Sequence, residues 1–254
     1  MAPLTPDYWN ALAGRMREPQ FQEQLALYKR REHLDLIHAW APRAAASLLK
    51  TDLFEEGFGQ DLLLDSLAAT AARSVGIDIS AVTAAAAKAR VPGASYLVGD
   101  ACALPFREGS FDLIVSISTL DHLPLDSFPR AIDELARVLS PGGCLILTLD
   151  SRHNPLHVLS NLIRRRLGRI YAEHCYTVAE VAAVVATRPL TITDSTAVYH
   201  IPFPVNFLAK KLKRALGARS DRVIRTAVGI FRRLEALPTR FLTGRYIALR
   251  IVKR

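Results

Sequence analysis

The stretch GASYLVGDACALPFREGSFDLIVSISTLDHL, residues 93–123, places polar side chains directly after two short apolar runs. Asp100 follows the first run, and a cluster of Ser, Thr, Asp and His between Ser116 and His122 ends the second. Short apolar runs bounded by turn residues indicate strands that are covered on both faces. Polar residues at successive strand ends are typical of a ligand site at one edge of a parallel sheet.

Strand and helix alternate from about Ser47 to Asp150. Helix-forming segments, such as the Ala-rich AVTAAAAKAR, separate apolar segments that are expected to form strands. This alternation predicts an α/β fold with a doubly wound parallel sheet. The turn after the first strand, EEGFGQD, is expected to be a loop that carries Gly57 and Gly59. The expected strands are SLLKT, SVGIDIS, ASYLVGD, FDLIVSIST and CLILTLD.

The regular alternation stops after Asp150. Basic helical segments dominate, and TVAEVAAVVAT carries Thr177 and Glu180 at the spacing of a helix capping box. LTITDSTAVYH is expected to be a strand, IPFPVNF a loop and GRYIALRIVKR a final strand.

The charge of the chain is divided unevenly. Residues 1–150 contain 13 Lys and Arg against 19 Asp and Glu, a net charge of −6, whereas residues 151–254 contain 20 against 5, a net charge of +15. The basic half indicates either an anionic partner or a well-solvated helical surface. We expect one domain, with a helical cap at residues 1–45, a ligand-binding core at 46–150, and a basic helical lid and the final strands at 151–254.

The composition bounds the class of protein. Half of the 254 residues are hydrophobic, yet no run of about 18 apolar residues suggests a membrane-spanning helix. The start, MAPLTPDYWN, lacks the pattern of a secretory signal. Cys102, Cys144 and Cys175 lack paired spacing, which favours reduced thiols over disulfides or a zinc site. A cytoplasmic location without a metal site is therefore expected, with peripheral contact to a membrane left open.

Two carboxylates stand at neighbouring expected strand ends. The two oxygens of Asp78 match the vicinal hydroxyls of a ribose. The alternative role of Asp78 is the N-cap of the next helix, which Ser80 could serve instead. Asp100 and the backbone N–H of Ala101 match the amine and a ring nitrogen of a purine, although Asp100 alone would be an ordinary turn residue. Together the two positions predict a nucleoside pocket.

The turn after the first strand is acidic. Asp52, Glu55 and Glu56 would repel a phosphate group, but they would attract a ligand that carries an ammonium or sulfonium charge. A phosphate cradle is therefore not expected at this turn, despite its two glycines.

These features resemble the core of the class I S-adenosylmethionine-dependent methyltransferases, of the type 11-like kind. The most specific match is GDACALPFREGSFDLIVSISTLDHL followed by FPRAIDELARVLSPGGCLILTLD, where the family has a similar acidic strand end, an LPF…SFD motif and a helix that leads into a Pro-Gly-Gly turn. The resemblance implies a seven-stranded sheet whose last strand is antiparallel, S-adenosylmethionine as cofactor, and methyl transfer as the reaction.

The resemblance also implies the cofactor-binding residues. It assigns the ribose to Asp78, the adenine to Asp100 and Ala101, and the surroundings of the methionine moiety to Ser116 and Ser118. The full set implied is Asp52, Gly57, Gly59, Asp78, Ile79, Asp100, Ala101, Ser116 and Ser118.

The first turn departs from the family pattern. It keeps Asp52, Gly57 and Gly59, but Phe54 and Glu56 stand where small residues are usual. The loop is therefore expected to take a different path. Either it still contacts the amino-acid end of the cofactor through Glu55 or backbone atoms, or cofactor binding is impaired.

A base is needed only if the acceptor is a weak nucleophile such as a hydroxyl group. His122 is the expected general base, with helix capping or substrate shaping as its alternative role. His153 and His174 are lesser candidates, and Tyr171 and Tyr176 are expected to wall the acceptor site or to serve as packing.

Several acceptors and functions fit the basic half. We expect a small-molecule, glycan or lipid-linked acceptor, O-methylation, and an anionic membrane surface as a further partner. RNA methylation is less favoured because no RNA-binding motif is appended. The remaining alternative is a non-catalytic binding protein, in which Phe54 or Phe58 fills the cofactor's place.

Overall fold

A computed structural model of the chain describes residues 5–16, 21–41, 45–166 and 174–254. Its strands are β1 (Ser47–Thr51), β2 (Arg73–Asp78), β3 (Ser95–Val98), β4 (Phe111–Ile117), β5 (Leu139–Asp150), β6 (Leu190–Val198) and β7 (Tyr246–Lys253). Its α-helices are α1 (Pro6–Arg15), α2 (Glu23–Trp40), α3 (Phe54–Phe58), α4 (Leu63–Ala68), α5 (Ala81–Arg90), α6 (Phe128–Val138), α7 (Pro155–Arg166), α8 (Val178–Ala186), α9 (Phe203–Leu216), α10 (Ser220–Arg232) and α11 (Arg240–Thr243).

The seven strands form one sheet in the order β3-β2-β1-β4-β5-β7-β6. β1 to β5 are parallel, and β7 pairs antiparallel with both β5 and β6. The strand order reverses between β1 and β4, and such a reversal opens a crevice at the carboxyl ends of the strands. The doubly wound sheet with an antiparallel last strand is therefore confirmed.

Helices cover both faces of the sheet. α6 and α8 pack on one face, and α2, α4, α5, α9 and α10 pack on the other. The sequence of β4 is apolar without alternation because both faces of this strand are buried. Ile114 belongs to the core beneath α6 and α8, whereas Leu113 and Val115 belong to the core on the opposite face of the sheet. Burial on both faces requires apolar residues at successive positions.

The predicted loop EEGFGQD is wrong, because residues 54–58 form helix α3. Asp52 Oδ1 accepts a hydrogen bond of 2.7 Å from the backbone N–H of Phe54 at the start of this helix. Glu56 is fully buried within the helix and accepts a hydrogen bond of 3.0 Å from the N–H of Leu64. A buried carboxylate thus ties α3 to α4, which propensity alone does not reveal.

The predicted loop IPFPVNF is also wrong, because α9 begins within it. Pro202 is the N-cap residue, and Pro204 lies in the first helical turn. A helix tolerates proline there, since the N–H that proline lacks would have no partner within the helix. The capping box before α8 is confirmed: Glu180 N donates to Thr177 Oγ1 at 3.2 Å, and Thr177 N donates to Glu180 Oε2 at 2.7 Å.

Two further observations concern the cysteines and the hydrophobicity of the helices. Cys102, Cys144 and Cys175 are free thiols. Among the helices of the described ranges, none has both the length and the apolar character that crossing a bilayer requires.

Candidate active site

The carboxyl ends of the five parallel strands border a cavity of about 360 Å³. One residue at or just beyond the end of each strand lines it, namely Asp52, Asp78, Asp100, Ser118 and Asp150. Cavities of about 300–1,000 Å³ are typical of sites for small-molecule ligands. The predicted edge of the sheet therefore holds a cavity of suitable size.

Helix α1 lies over one side of this cavity. Trp9 and Leu12 line the wall. Asn10 anchors the helix, because its Oδ1 accepts hydrogen bonds from Ser80 Oγ at 2.8 Å and from Val82 N at 3.3 Å. The expected N-terminal cap thus contributes directly to the site.

Asp78 is the central carboxylate of the cavity wall. Its oxygens accept hydrogen bonds of 2.8 Å from the backbone N–H groups of Leu53 and Ser80. Burial, together with repulsion from Asp52, raises the pKa of Asp78 to about 7, although the two N–H groups oppose the rise. Ile79, the next residue, lines the same wall. Two oxygens have room for further donors, since each can accept more than one hydrogen bond.

Asp100 and Ala101 line the cavity beside Asp78. Asp100 Oδ1 accepts a hydrogen bond of 2.8 Å from the N–H of Cys102, which fixes the turn after β3. The side chains of Asp78 and Asp100 therefore share one cavity, which is the juxtaposition that the sequence predicts.

Two residues with left-handed backbone conformations follow β1 and β4. Asp52 has φ +65° and Ser118 has φ +47°, and both line the cavity. Such conformations cost energy in residues other than glycine and often occur at functional sites. Ser116, by contrast, is buried beneath the cavity wall and accepts a hydrogen bond of 2.9 Å from Thr51 Oγ1.

Gly57 and Gly59 do not line the cavity. Gly57 lies against α5, where a Cβ atom would stand 3.2 Å from the carbonyl oxygen of Thr83. Gly59 lies against Glu55, where a Cβ atom would stand 1.7 Å from Oε2. Both positions therefore need glycine for close packing of α3, rather than for the approach of the backbone to a ligand.

Buried ion pairs form one end of the cavity. Lys29 Nζ lies 3.0 Å from Glu55 Oε1 and 3.7 Å from Asp61 Oδ2, and Lys50 Nζ lies 2.9 Å from Glu56 Oε2. Burial alone would lower the pKa of Lys50, but the charge of Glu56 raises it above its usual value. Lys50 is therefore a buried cation in a strand whose last four residues are all buried.

Two polar atoms in the cavity wall remain available to a ligand. Asp61 Oδ1 and Ser118 Oγ are buried and have no hydrogen-bond partner among the described residues. Buried polar groups usually have partners, so these two atoms fit a polar ligand at this position. Acidic side chains in this part of the wall also fit a ligand with a positive charge.

His122 lies at the other end of the cavity, in a short 3₁₀ turn after β4. Its ring contacts the ring of Trp9 edge-on, with 5.3 Å between the centroids. Asp150 lines the same end. Burial opposes ionisation of Asp150, but the hydrogen bond from His157 and the charges of Arg245 and His122 hold its pKa well below the usual range. A permanent carboxylate therefore lies near His122.

A polar cluster behind the cavity fixes Asp150. His157 Nε2 lies 3.2 Å from Asp150 Oδ1, and Arg245 Nε lies 3.6 Å from the same oxygen. Asn161 Nδ2 lies 3.3 Å from His157 Nε2 and 3.5 Å from Cys175 Sγ. The ligand atoms of Asp150, His157 and Cys175 lie within 4.8 Å of one another. The guanidinium beside them disfavours a metal cation, so hydrogen bonds account for the cluster.

The lesser histidine candidates lie outside the wall of the cavity. His153 Nε2 accepts a hydrogen bond of 3.4 Å from the N–H of Val178 at the start of α8. The backbone N–H of His174 donates to the carbonyl of Asp121 at 2.8 Å. Neither imidazole is among the groups that line the cavity.

The aromatic candidates have different positions. Tyr176 is buried and stacks on Phe128 with 4.6 Å between the ring centroids, so it serves as packing. Phe54 lines the cavity, and the ring of Phe58 lies 5.5 Å from it. Tyr171 lies outside the described residues.

Many residues of the cavity wall were not predicted, among them Asp150, Lys50, Trp9 and Arg245. Asp150 ends β5, so it carries the same signal as Asp78 and Asp100, namely an acidic residue at the end of an expected strand. Lys50 also carried a signal, because a lysine in an apolar strand needs a buried partner. Trp9 and Arg245 come from distant parts of the sequence, and no local pattern indicates that they meet at the site.

Comparisons with known proteins agree with this geometry. Residues 54–147 match the protein family described as the methyltransferase domain. The chain contains a class I S-adenosylmethionine-dependent methyltransferase domain. Its cofactor is S-adenosylmethionine, as the sequence predicts.

Two relatives and one solved structure show how far the likeness extends. The methyltransferase is 26% identical over 201 residues to a probable S-adenosylmethionine-dependent methyltransferase of Mycolicibacterium smegmatis, covering 74% of this chain and 68% of that protein. It is 31% identical over 117 residues to the phthiotriol/phenolphthiotriol dimycocerosates methyltransferase of Mycobacterium leprae, covering 45% and 43%. The chain thus spans about two thirds of the first relative and less than half of the second.

The fold also matches the N-methyltransferase NodS of Bradyrhizobium japonicum, whose structure is a complex with S-adenosylhomocysteine. The TM-score is 0.59 at 17% identity, and the match covers 96% of this methyltransferase and 97% of NodS. At this identity the likeness concerns the fold.

Proposed function

We propose that this methyltransferase transfers a methyl group to a hydroxyl oxygen of a small-molecule, glycan or lipid-linked acceptor. The observation that carries the proposal is a single cavity with Asp78 and Asp100 at one part of its wall and His122 with Asp150 at another. The first pair matches a nucleoside, and the second pair matches a proton acceptor with a counter-charge.

The wall residues suggest how the cofactor is held. Asp78 accepts the ribose hydroxyls, Ile79 packs on the adenine, and Asp100 with the N–H of Ala101 recognises its polar edge. Asp52 and Ser118 face the methionine moiety, and the acidic wall favours its ammonium group.

The remaining predicted residues act on the shape of the site. Gly57 and Gly59 permit the close packing of α3, and Ser116 supports the end of β1 through Thr51. Their substitution is expected to disturb the cavity without removing a direct contact.

When bound, the cofactor supplies a methyl group on a sulfonium, which is already a good leaving group. The protein therefore contributes mainly proximity and orientation. His122 takes the proton from the acceptor hydroxyl, and the anionic Asp150 stabilises the imidazolium that results. Trp9 limits the positions of the His122 ring.

Calorimetric titration with S-adenosylhomocysteine tests the cofactor site. We expect binding by the natural protein, loss of binding in Asp78→Ala, and unchanged binding in Asp65→Ala, whose carboxylate is exposed on α4. Equal affinities of the two variants would refute the assignment of Asp78.

A labelling experiment tests the acceptor. The protein is incubated with methyl-labelled S-adenosylmethionine and a total cell extract, and the label is then partitioned between organic and aqueous phases. Label in the organic phase supports a lipid-linked acceptor, and His122→Ala is expected to lower the rate by about a hundredfold or more. An unchanged rate in that variant would remove the base role of His122.

The RNA alternative is supported by the net charge of +15 in residues 151–254. It predicts that the label stays in the aqueous phase and is released by ribonuclease. It also predicts that binding to RNA weakens steeply with salt. The non-catalytic alternative requires a blocked cavity, but Phe54 borders a space of about 360 Å³ instead. The observed cavity therefore favours the enzyme.

A further inference from the structure

Helix α7 buries two polar side chains and exposes five apolar ones. His157 and Asn161, one helical turn apart, are buried in the cluster that holds Asp150. A surface helix of a globular protein normally has the opposite arrangement. The exposed apolar residues of α7 are Leu156, Val158, Leu159, Leu162 and Ile163.

The adjacent helix α9 extends this apolar surface and adds charge. α9 packs against α7, and its Phe207 and Leu208 are 57% and 58% exposed. Lys211 and Arg214 are exposed on the same helix, and Lys211 Nζ lies 4.6 Å from the centre of the Phe207 ring. The surface formed by α7 and α9 therefore carries both apolar and basic side chains.

We propose that this surface binds an anionic lipid bilayer. We call it the docking face and define it by Leu156, Leu159, Leu162, Ile163, Phe207, Leu208, Lys211 and Arg214. Helices that bind in the plane of a membrane combine apolar side chains, which enter the acyl boundary, with Lys and Arg, which contact anionic headgroups.

Charge argues for a membrane rather than a second copy of this chain. A symmetric dimer through the docking face would bring the basic residues of two copies together, and like charges across an interface oppose association. The net charge of +15 over residues 151–254 strengthens that repulsion and strengthens attraction to anionic lipid.

The docking face adjoins the acceptor end of the cavity. Arg164 lines the cavity and directly follows Ile163 of the docking face. An acceptor embedded in the bilayer would therefore enter beside α7 into the cavity that His122 also lines. The inference that the acceptor is lipid-borne rests on the proposed function, whereas the inference that the docking face binds a membrane does not.

Vesicle flotation tests the docking face. The full chain is mixed with vesicles of phosphatidylcholine, with or without phosphatidylglycerol. We expect flotation only with the anionic vesicles, and binding weakened about tenfold or more in Leu159→Gln/Ile163→Gln, since two apolar side chains no longer leave water. The matched control, Leu27→Gln/Val82→Gln, replaces exposed apolar residues of α2 and α5 and should float as the natural protein does.

A charge-reversal pair separates the contribution of the basic residues. Lys211→Glu/Arg214→Glu should lose flotation, while Lys88→Glu on α5 should retain it. Binding of S-adenosylhomocysteine is measured on every variant, so that loss of the fold or of the cofactor site is distinguished from loss of membrane binding.

Three outcomes would overturn the inference. The natural protein could fail to float with anionic vesicles, or Leu159→Gln/Ile163→Gln could float as well as its control. Alternatively, sedimentation could show a dimer that Leu159→Gln/Ile163→Gln dissociates, which would assign the docking face to a second copy.

Discussion

Asp78, which we propose as the acceptor for the ribose hydroxyls of the cofactor, is a carboxylate whose ionised form is disfavoured by burial. Its pKa is raised to about 7 by burial and by the charge of Asp52. A carboxylate in this state is partly protonated at neutral pH, and hydrogen bonds from a diol would favour its ionised form. The proposed contact of Asp78 with the ribose therefore predicts that cofactor binding and proton release are coupled at this residue.

We predict that affinity for S-adenosylhomocysteine increases from pH 6 to pH 8. At pH 7 about half a proton should be released for each ligand bound, because the ligand favours the ionised carboxylate. Calorimetry in buffers of different ionisation enthalpy measures this release. Equal affinity and no buffer dependence over this pH range would contradict the coupling.

Asp52→Asn should flatten that pH dependence. Burial still raises the pKa of Asp78, but without the charge of Asp52 the pKa falls, so a larger fraction of Asp78 is ionised at pH 6. Asparagine tolerates the left-handed backbone at this position, where φ is +65°. The ratio of the affinities at pH 8 and pH 6 is the measurement, since the variant also changes the overall charge of the site.

Lys50 and Glu56 should stabilise the fold only as a pair. Their side chains are 4% and 0% exposed, so Lys50→Met leaves a buried carboxylate without its cation and is expected to cost about 3–5 kcal/mol. Lys50→Met/Glu56→Gln should recover most of that loss, because glutamine can still accept the N–H of Leu64. Denaturant unfolding of both variants gives the comparison, and equal losses would show that charge pairing is not the cause.

At the scale of elements, helix α1 couples the helical cap to the cavity. Asn10 holds it to α5, and Trp9 and Leu12 form part of the wall. The sequence predicted a helical cap at residues 1–45, but not where its helices would lie. Its position depends on contacts with residues some 70 positions away in the sequence.

Trp9 should therefore report ligand binding. In a Trp40→Phe background, Trp9 is the remaining tryptophan of the two in the sequence, and S-adenosylhomocysteine is expected to change its emission. The control keeps Trp40 and carries Trp9→Phe, and its emission should stay constant. A response from the control and none from Trp9 would place α1 away from the ligand.

The elements that the sequence predicted correctly depend on local pattern. Five parallel strands were recognised from short apolar runs, although the edge strand β3 is largely exposed and is not covered on both faces as expected. The cap of α8 was recognised because Thr177 and Glu180 have the required spacing. α3 was missed because its helix depends on Glu56, whose partners Lys50 and Leu64 belong to other elements. Asp78 and Asp100 were placed together correctly, since strand ends converge in any parallel sheet.

At the scale of the whole molecule, the ligand should stabilise the domain as a unit. The cavity is built from the ends of all five parallel strands and from α1, so a bound ligand opposes unfolding of each. At a ligand concentration 100-fold above the dissociation constant, the gain is about 2.7 kcal/mol. We predict that S-adenosylhomocysteine raises Tm by about 5–10 °C, as measured by calorimetric scanning. Asp78→Ala should show no such increase.

The position of β7 has a consequence for synthesis. β7 fills the space between β5 and β6, although the ribosome makes it after both. Until residues 246–253 leave the exit tunnel, a nascent chain exposes one unpaired edge on β5 and another on β6. Unpaired edges invite association with other chains. The interval between translation of β6 and of β7 is therefore when this protein depends most on chaperones.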